Sequence, residues 1–411
     1  MYQLNDKIKD LKPYDPVTED SRIHLDANES FLPLPAPILE ELAAAVPQVA
    51  FNRYPDPAAQ ELCQAFAQYY GVPVENVAAG NGSDELITVL FTGFLQKGEA
   101  FATLEPDFSM YAFNGYLQEA RNVPIPKGAD YAIDVDRTIQ TCRQEGVKLL
   151  IFSNPGNPTS IVCPRQEVRR LIQGLPDTLV VLDEAYMDFS DQSLLPEFHD
   201  YDNLLLLRTC SKAFGMAGLR LGFAVGQKRL VDAIKGVKSP YNVNALSQKL
   251  GAAVLRHPQA MKEALAEILA SREQLLQGVR ALGEAFPGRF ALLPCATNFA
   301  TLRMADGEAL YHTLGSRASP SAIREGWCAS PAAPPGKTRL SSPRWPTILP
   351  PCRRRGSDLW NATHPCTERP TRRKSPWSSA WTGASGPSPP GWAFLTTCSA
   401  PLPSTGTLAS R

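Results

Sequence analysis

Lys212 stands in the run Arg208-Thr209-Cys210-Ser211-Lys212-Ala213-Phe214-Gly215-Met216-Ala217-Gly218-Leu219-Arg220, directly after four leucines, Leu204 to Leu207. An apolar run that stops at hydroxyls, one lysine and small residues reads as a buried strand delivering the lysine to a sheet edge. Among small and apolar neighbours an amine is partly desolvated, so its charged form is disfavoured and the free base can attack an aldehyde. A loop lysine that stays solvated is the alternative when this motif is taken alone.

Two further apolar runs end in polar groups. Leu149 to Phe152 leads into Ser153-Asn154-Pro155-Gly156-Asn157-Pro158-Thr159, and Leu179 to Leu182 leads into Asp183-Glu184-Ala185-Tyr186. With Leu204 to Leu207, the three runs recur about 25 to 30 residues apart, the length of a βαβ unit. In a largely parallel α/β sheet ligands bind at the carboxyl ends of the strands, so Asn157, Asp183, Tyr186 and Lys212 can converge on one small molecule. Each has a plainer role open to it: Asn157 as a turn former, Asp183 as a helix cap, Tyr186 as core. Their joint occurrence at strand ends argues against separate plain roles. Upstream, Gly80-Asn81-Gly82-Ser83-Asp84-Glu85 reads as two glycines and a Ser/Asp cap opening an apolar helix, whose exposed amides would suit a phosphate. An ordinary capped helix explains the same residues.

These groups need a large scaffold. With 411 residues, 44% of them hydrophobic, the chain has material for a sizeable core and more than one domain. It contains no stretch of about 18 consecutive apolar residues, and Met1 to Lys7 does not read as a cationic leader, so a cytoplasmic location without a membrane span is expected. Nine scattered cysteines without paired metal-type spacing fit reduced thiols rather than a disulfide framework or a metal site. The net charge of zero hides an asymmetry: residues 1–317 hold 29 Lys+Arg against 38 Asp+Glu, whereas residues 318–411 hold 12 against 3 and all six tryptophans. That basic, Pro-rich segment lacks periodic basic faces, so it is not read as an arm for nucleic acid or a membrane surface.

In chain order, an extended arm runs through Pro35. A short amphipathic helix over Ile38–Val46, a turn-rich loop at Phe51 to Pro57 and a helix over Ala58–Tyr70 follow. Beyond Gly226 a long amphipathic helical stretch is expected over Ala245–Phe286, interrupted near His257-Pro258. Strands at Phe290–Leu293 and Asn298–Leu302 and a helix over Gly307–Gly315 then begin a smaller α+β domain.

Taken together and in order, these motifs resemble the histidinol-phosphate aminotransferases, in the fold-type-I family of pyridoxal-phosphate enzymes. The resemblance also rests on Leu25-Asp26-Ala27-Asn28-Glu29, Asn52-Arg53-Tyr54-Pro55 and Pro240-Tyr241-Asn242-Val243-Asn244, and covers nearly all of residues 10–317. It implies a mostly parallel sheet flanked by helices, divided into an N-terminal arm with part of the small domain (residues 1–40), a large cofactor-binding domain (41–285) and the start of the small domain (286–317). Lys212 would hold pyridoxal 5'-phosphate covalently and then carry the proton of the reaction. Asp183 would face the pyridine nitrogen, Asn157 and Tyr186 the ring oxygen, and Phe108 would stack on the ring. The phosphate would lie on the amides of Ser83 and Asp84, the hydroxyls of Thr209 and Ser211, and Arg220, with Tyr54 reaching it from the partner subunit of a homodimer. Tyr14, again across the dimer, and Asn28 would lie near the substrate. The reaction implied is amine transfer between histidinol phosphate and 2-oxoglutarate in histidine biosynthesis. A threonine-phosphate decarboxylase with the same cofactor site, or an inactive cofactor-binding remnant, are the alternatives.

After Arg317 the family pattern stops, and the substrate-binding arginines expected of the small domain are missing. When the third base of each codon is read with the first two of the next, Gly391 to Thr405 permits Val-Gly-Phe-Leu-Asp-His-Met-Leu-Ser-Ala-Leu-Ala-Lys-His. That string resembles imidazoleglycerol-phosphate dehydratase, another histidine-pathway enzyme. In the same frame, Ala318 to Thr338 permits Gly-Ile-Ala-Ile-Arg and Leu-Val-Arg-Ile-Thr, which resemble the missing end of the aminotransferase. A frame slip near Arg317 is therefore expected, leaving residues 318–411 out of frame and without a stable core.

Overall fold

The computed structural model describes residues 2–11, 25 and 27–318. Its centre is a seven-stranded sheet of β1 (Val77–Asn81), β2 (Ala100–Glu105), β3 (Arg121–Pro126), β4 (Val147–Ser153), β5 (Leu179–Asp183), β6 (Leu204–Thr209) and β7 (Leu221–Gly226), in the order β1-β7-β6-β5-β4-β2-β3. Pairings across β3-β2-β4-β5-β6 are parallel, and β7 runs antiparallel to both β6 and β1. The expected mostly parallel sheet is present. Its central strands read as continuous apolar runs because both faces are covered, every residue of β6 being buried.

Successive residues serve opposite faces. Leu205, Leu207, Val181 and Ile151 pack under α3 (Ser83–Phe94), α4 (Met110–Gln118) and α7 (Lys228–Val237), with Phe91 and Tyr111 in the same cluster. Leu204, Leu206, Val180 and Phe152 face the other layer, which contains α1 (Ala36–Ala45), α2 (Gln60–Tyr70), α5 (Val135–Gln144), α6 (Arg165–Gly174) and α8 (Ala245–Leu255). Asp183 continues the alternation from Val181, so its carboxyl emerges on the α3–α4 face.

The predicted helical stretch is split where expected: α8 ends at Leu255 and α9 spans Pro258–Ala285, with proline tolerated at its first position. Beyond it, β8 (Phe290–Leu292) pairs with β9 (Leu302–Met304), and α10 spans Gly307–Ala318. Two expectations are corrected. Residues Asn298 to Thr301 form no strand; all four are buried, and Asn298 Nδ2 and Thr301 Oγ1 bond to the carbonyls of Asn28 and Pro158, at 3.0 and 2.7 Å. Their composition reflected burial on every side, not a half-exposed strand. The start of α3 carries no Ser/Asp side-chain cap either: Gly82 is the N-cap, with Ser83 and Asp84 in the first turn, and the Glu85 carboxylate reaches back to Asn81 N at 2.6 Å.

Candidate active site

Three groups of residues gather at the carboxyl ends of the parallel strands. The first surrounds the lysine. Lys212 follows β6, its Nζ donates to the carbonyl of Ala27 at 2.5 Å and lies 5.7 Å from the centre of the Tyr186 ring. Asn28 Nδ2 donates to the Tyr186 hydroxyl at 3.0 Å, and Asn28 holds a left-handed backbone (φ 50°) while its carbonyl accepts from Asn298. Tyr186 packs edge-on against Phe299, ring centres 5.3 Å apart. Ala27–Asn28 and Asn298–Phe299 thus meet beside the lysine and Tyr186.

The second group is a cradle. The first-turn amides of α3 lie beside β7, where a Cβ on Gly222 would stand 2.3 Å from Ser83 N. At Gly82 (φ 83°) a Cβ would stand 2.6 Å from Arg220 Nη2. Arg220 Nη2 pairs with Asp84 Oδ2 at 3.0 Å, and the Thr209 and Ser211 hydroxyls bond to each other at 3.0 Å beside it. Amide donors at a helix start, two hydroxyls and one guanidinium are a donor set suited to an anion.

The third group surrounds Asp183. This carboxylate is buried, accepting from the Tyr111 hydroxyl at 2.8 Å and the Ala185 amide at 3.1 Å, with no ion pair among the described residues. Burial pushes its pKa up to about 7 against the pull of those two donors. The nearby guanidinium is directed elsewhere: Arg208 bonds to Glu184 and Asp188 at 2.8 and 2.9 Å, on the opposite face. Phe108 meets Tyr111 edge-on, 5.6 Å between ring centres. Asn157, buried beyond β4, donates its amide to Ser153 Oγ at 2.8 Å, and Ser153 bonds to Asp107, itself in a buried pair with Lys127 at 3.3 Å. Burial also raises the Asp107 pKa, with Lys127 opposing.

The profile of the aminotransferase class I and II family matches residues 21–324. The chain belongs to that family. A histidinol-phosphate aminotransferase of Clostridium kluyveri is 37% identical over 302 residues, covering 74% of this chain and 84% of that protein. One of Clostridium novyi is 41% identical over 273 residues, covering 66% and 76%. Among solved structures, a histidinol-phosphate aminotransferase of Sinorhizobium meliloti in complex with pyridoxal-5'-phosphate superposes with a TM-score of 0.65 at 25% identity, covering 72% of this chain and 81% of that one.

The residues of this aminotransferase fit such a group. A buried carboxylate without a cation suits a protonated ring nitrogen, and the cradle left open by Gly82 and Gly222 suits a phosphate. Ser83, Asp84, Thr209, Ser211 and Arg220 surround the cradle; Asp183 and Phe108 both contact Tyr111, and Asn28 and Lys212 both contact Tyr186. Tyr54 lies apart: it is 79% exposed and stacks on Tyr241 with ring centres 4.5 Å apart. Tyr14 and residues 319–411, including the segment read as out of frame, lie outside the described residues. Sequence reasoning missed Tyr111 and Asn298. The first had a signal: Tyr111, in the first turn of α4, follows Phe108 by three positions, close enough for the two rings to meet.

Proposed function

We propose that the chain is a pyridoxal-phosphate-dependent aminotransferase exchanging the amine of histidinol phosphate with 2-oxoglutarate, in histidine biosynthesis. The observation that carries the cofactor reading is the buried Asp183, in no ion pair among the described residues, one strand away from Lys212. The named relatives support the substrate. Pyridoxal phosphate supplies an aldehyde for amine capture and a ring that accepts the electron pair left when a proton leaves the substrate carbon. Asp183 holds positive charge at the ring nitrogen. Lys212 Nζ would hold the group and would move the proton at the substrate carbon. Tyr186, oriented by Asn28, and Asn157 would hydrogen-bond the ring oxygen, and Phe108 would pack against the ring. Ser83, Asp84, Thr209, Ser211 and Arg220 would hold the phosphate, and Asn28 would border the substrate.

The same reading includes a homodimer, in which the exposed Tyr54 reaches the partner's phosphate site. It also keeps the domain limits given above and a cytoplasmic location; among the described residues no helix is long and apolar enough to cross a membrane. For residues 318–411 we propose a frame slip near Arg317. It removes the arginines that would bind the substrate's phosphate. Each lost charge-assisted contact weakens binding by roughly 1.5–3 kcal/mol, so two lost contacts cost about two to four powers of ten in affinity.

The test adds histidinol phosphate to the cofactor-loaded chain as written and to one with the frame restored, and follows the visible cofactor band. Fast conversion to the amine form by the restored chain and slow conversion by the original is the expected pair. No conversion by the restored chain overturns the substrate assignment, and equal rates overturn the frame slip.

A further inference from the structure

Tyr111 has no role in the scheme above, yet it is fully buried and its hydroxyl donates to Asp183 Oδ2 at 2.8 Å. Phenylalanine would fill the same apolar space without the cost of desolvating a hydroxyl. The ring is held firmly. Just ahead of its helix, Asp107 accepts from Phe108 N at 2.8 Å and is pinned by Lys127 and Ser153. One turn later Gly115 lies so close to Phe101 that a Cβ would stand 2.1 Å from its ring. The Ala185 amide takes the other oxygen of Asp183, so the carboxylate is fixed at both ends by neutral donors.

We propose that Tyr111 is a positioning residue: its hydroxyl fixes the Asp183 carboxylate and keeps it ionised, so that the proton of the pair stays on the cofactor's ring nitrogen. This rests on the reading of Asp183 given above. A neutral donor suits the task, because a lysine or arginine there would cancel the charge that the nitrogen needs. Without the hydroxyl the carboxylate becomes more basic, and the shared proton moves towards it. The ring nitrogen then loses its charge.

The experiment is nitrogen NMR of isotope-labelled cofactor in the loaded protein. Tyr111→Phe is expected to move the ring-nitrogen resonance towards the unprotonated position and to lower kcat about tenfold or more, with KM within about twofold. Asp183→Asn should move the resonance further, and adding Tyr111→Phe to it should change nothing more. An unchanged resonance in Tyr111→Phe, or an equal shift on top of Asp183→Asn, overturns the proposal. A nitrogen that stays protonated in Asp183→Asn instead removes the reading of Asp183 on which it rests. Should Tyr111→Phe not load cofactor, fluorotyrosine at position 111 keeps the question open to measurement. Its fluorine resonance must move when Asp183 is changed to Asn, and an unmoved resonance overturns the proposal.

Discussion

At the scale of single residues, Lys212 and Asp183 carry opposite demands. The lysine donates to the Ala27 carbonyl beside Tyr186, which Asn28 orients. Lys212→Ala is therefore expected to abolish the visible cofactor band and the adduct trapped by borohydride; a trapped adduct surviving in that variant would falsify the assignment. Asp183 makes a prediction for the cofactor-free protein. Its folded pKa, about 7, lies above the unfolded value of about 3.9. The folded state therefore binds the extra proton, its contribution is fully present below pH ~3.9, and it is lost as pH rises through about 7. Cofactor-free protein should lose a few kcal/mol more than cofactor-free Asp183→Asn between about pH 5 and 8, measured by denaturant unfolding. Parallel curves for the two proteins would dismiss the account.

At the scale of elements, the cradle depends on how closely β7 runs past the start of α3. Gly222→Ala places a methyl 2.3 Å from Ser83 N, so the strand or the helix start must move. Cofactor affinity should fall at least about tenfold, as expected when amide donors to a phosphate are misplaced; titration with unchanged affinity would remove the cradle from the phosphate site. The elements that sequence revealed are those with one strong signal. Leu149–Phe152, Leu179–Leu182 and Leu204–Leu207 announce themselves as apolar runs ending in polar groups, because strands covered on both faces need them. Val77 to Asn81 is short and made of small residues, and β7 follows Lys212 within a loop, so neither stood out. Tyr111 could not be assigned to Asp183 because its partner lies 72 positions away and hydrogen bonds leave no local pattern. Asn298 is similarly hidden, its bond to Asn28 spanning 270 positions.

At the scale of the whole molecule, the exposed pair Tyr54 and Tyr241 stands beside a concave surface lined by Arg53, Gln60, Gln64 and Gln248. If Tyr54 completes the partner's site, a Tyr54→Ala chain and a Lys212→Ala chain are each deficient. Mixed dimers then contain one site with both residues. Co-expressing the two variants should restore cofactor-band signal and turnover towards half of the parent level in the mixed species; complementation that never exceeds the separate variants would leave Tyr54 outside the site. The sheet order has a further consequence for synthesis. β1 and β7 are neighbours in the sheet but bracket 140 positions of chain, from Asn81 to Leu221, and the cradle lies where they meet. A growing chain that has not yet released β7 from the ribosome therefore has helix amides but no opposing wall, no Arg220 and no lysine. Cofactor capture is a late event, and it reports that the sheet has closed.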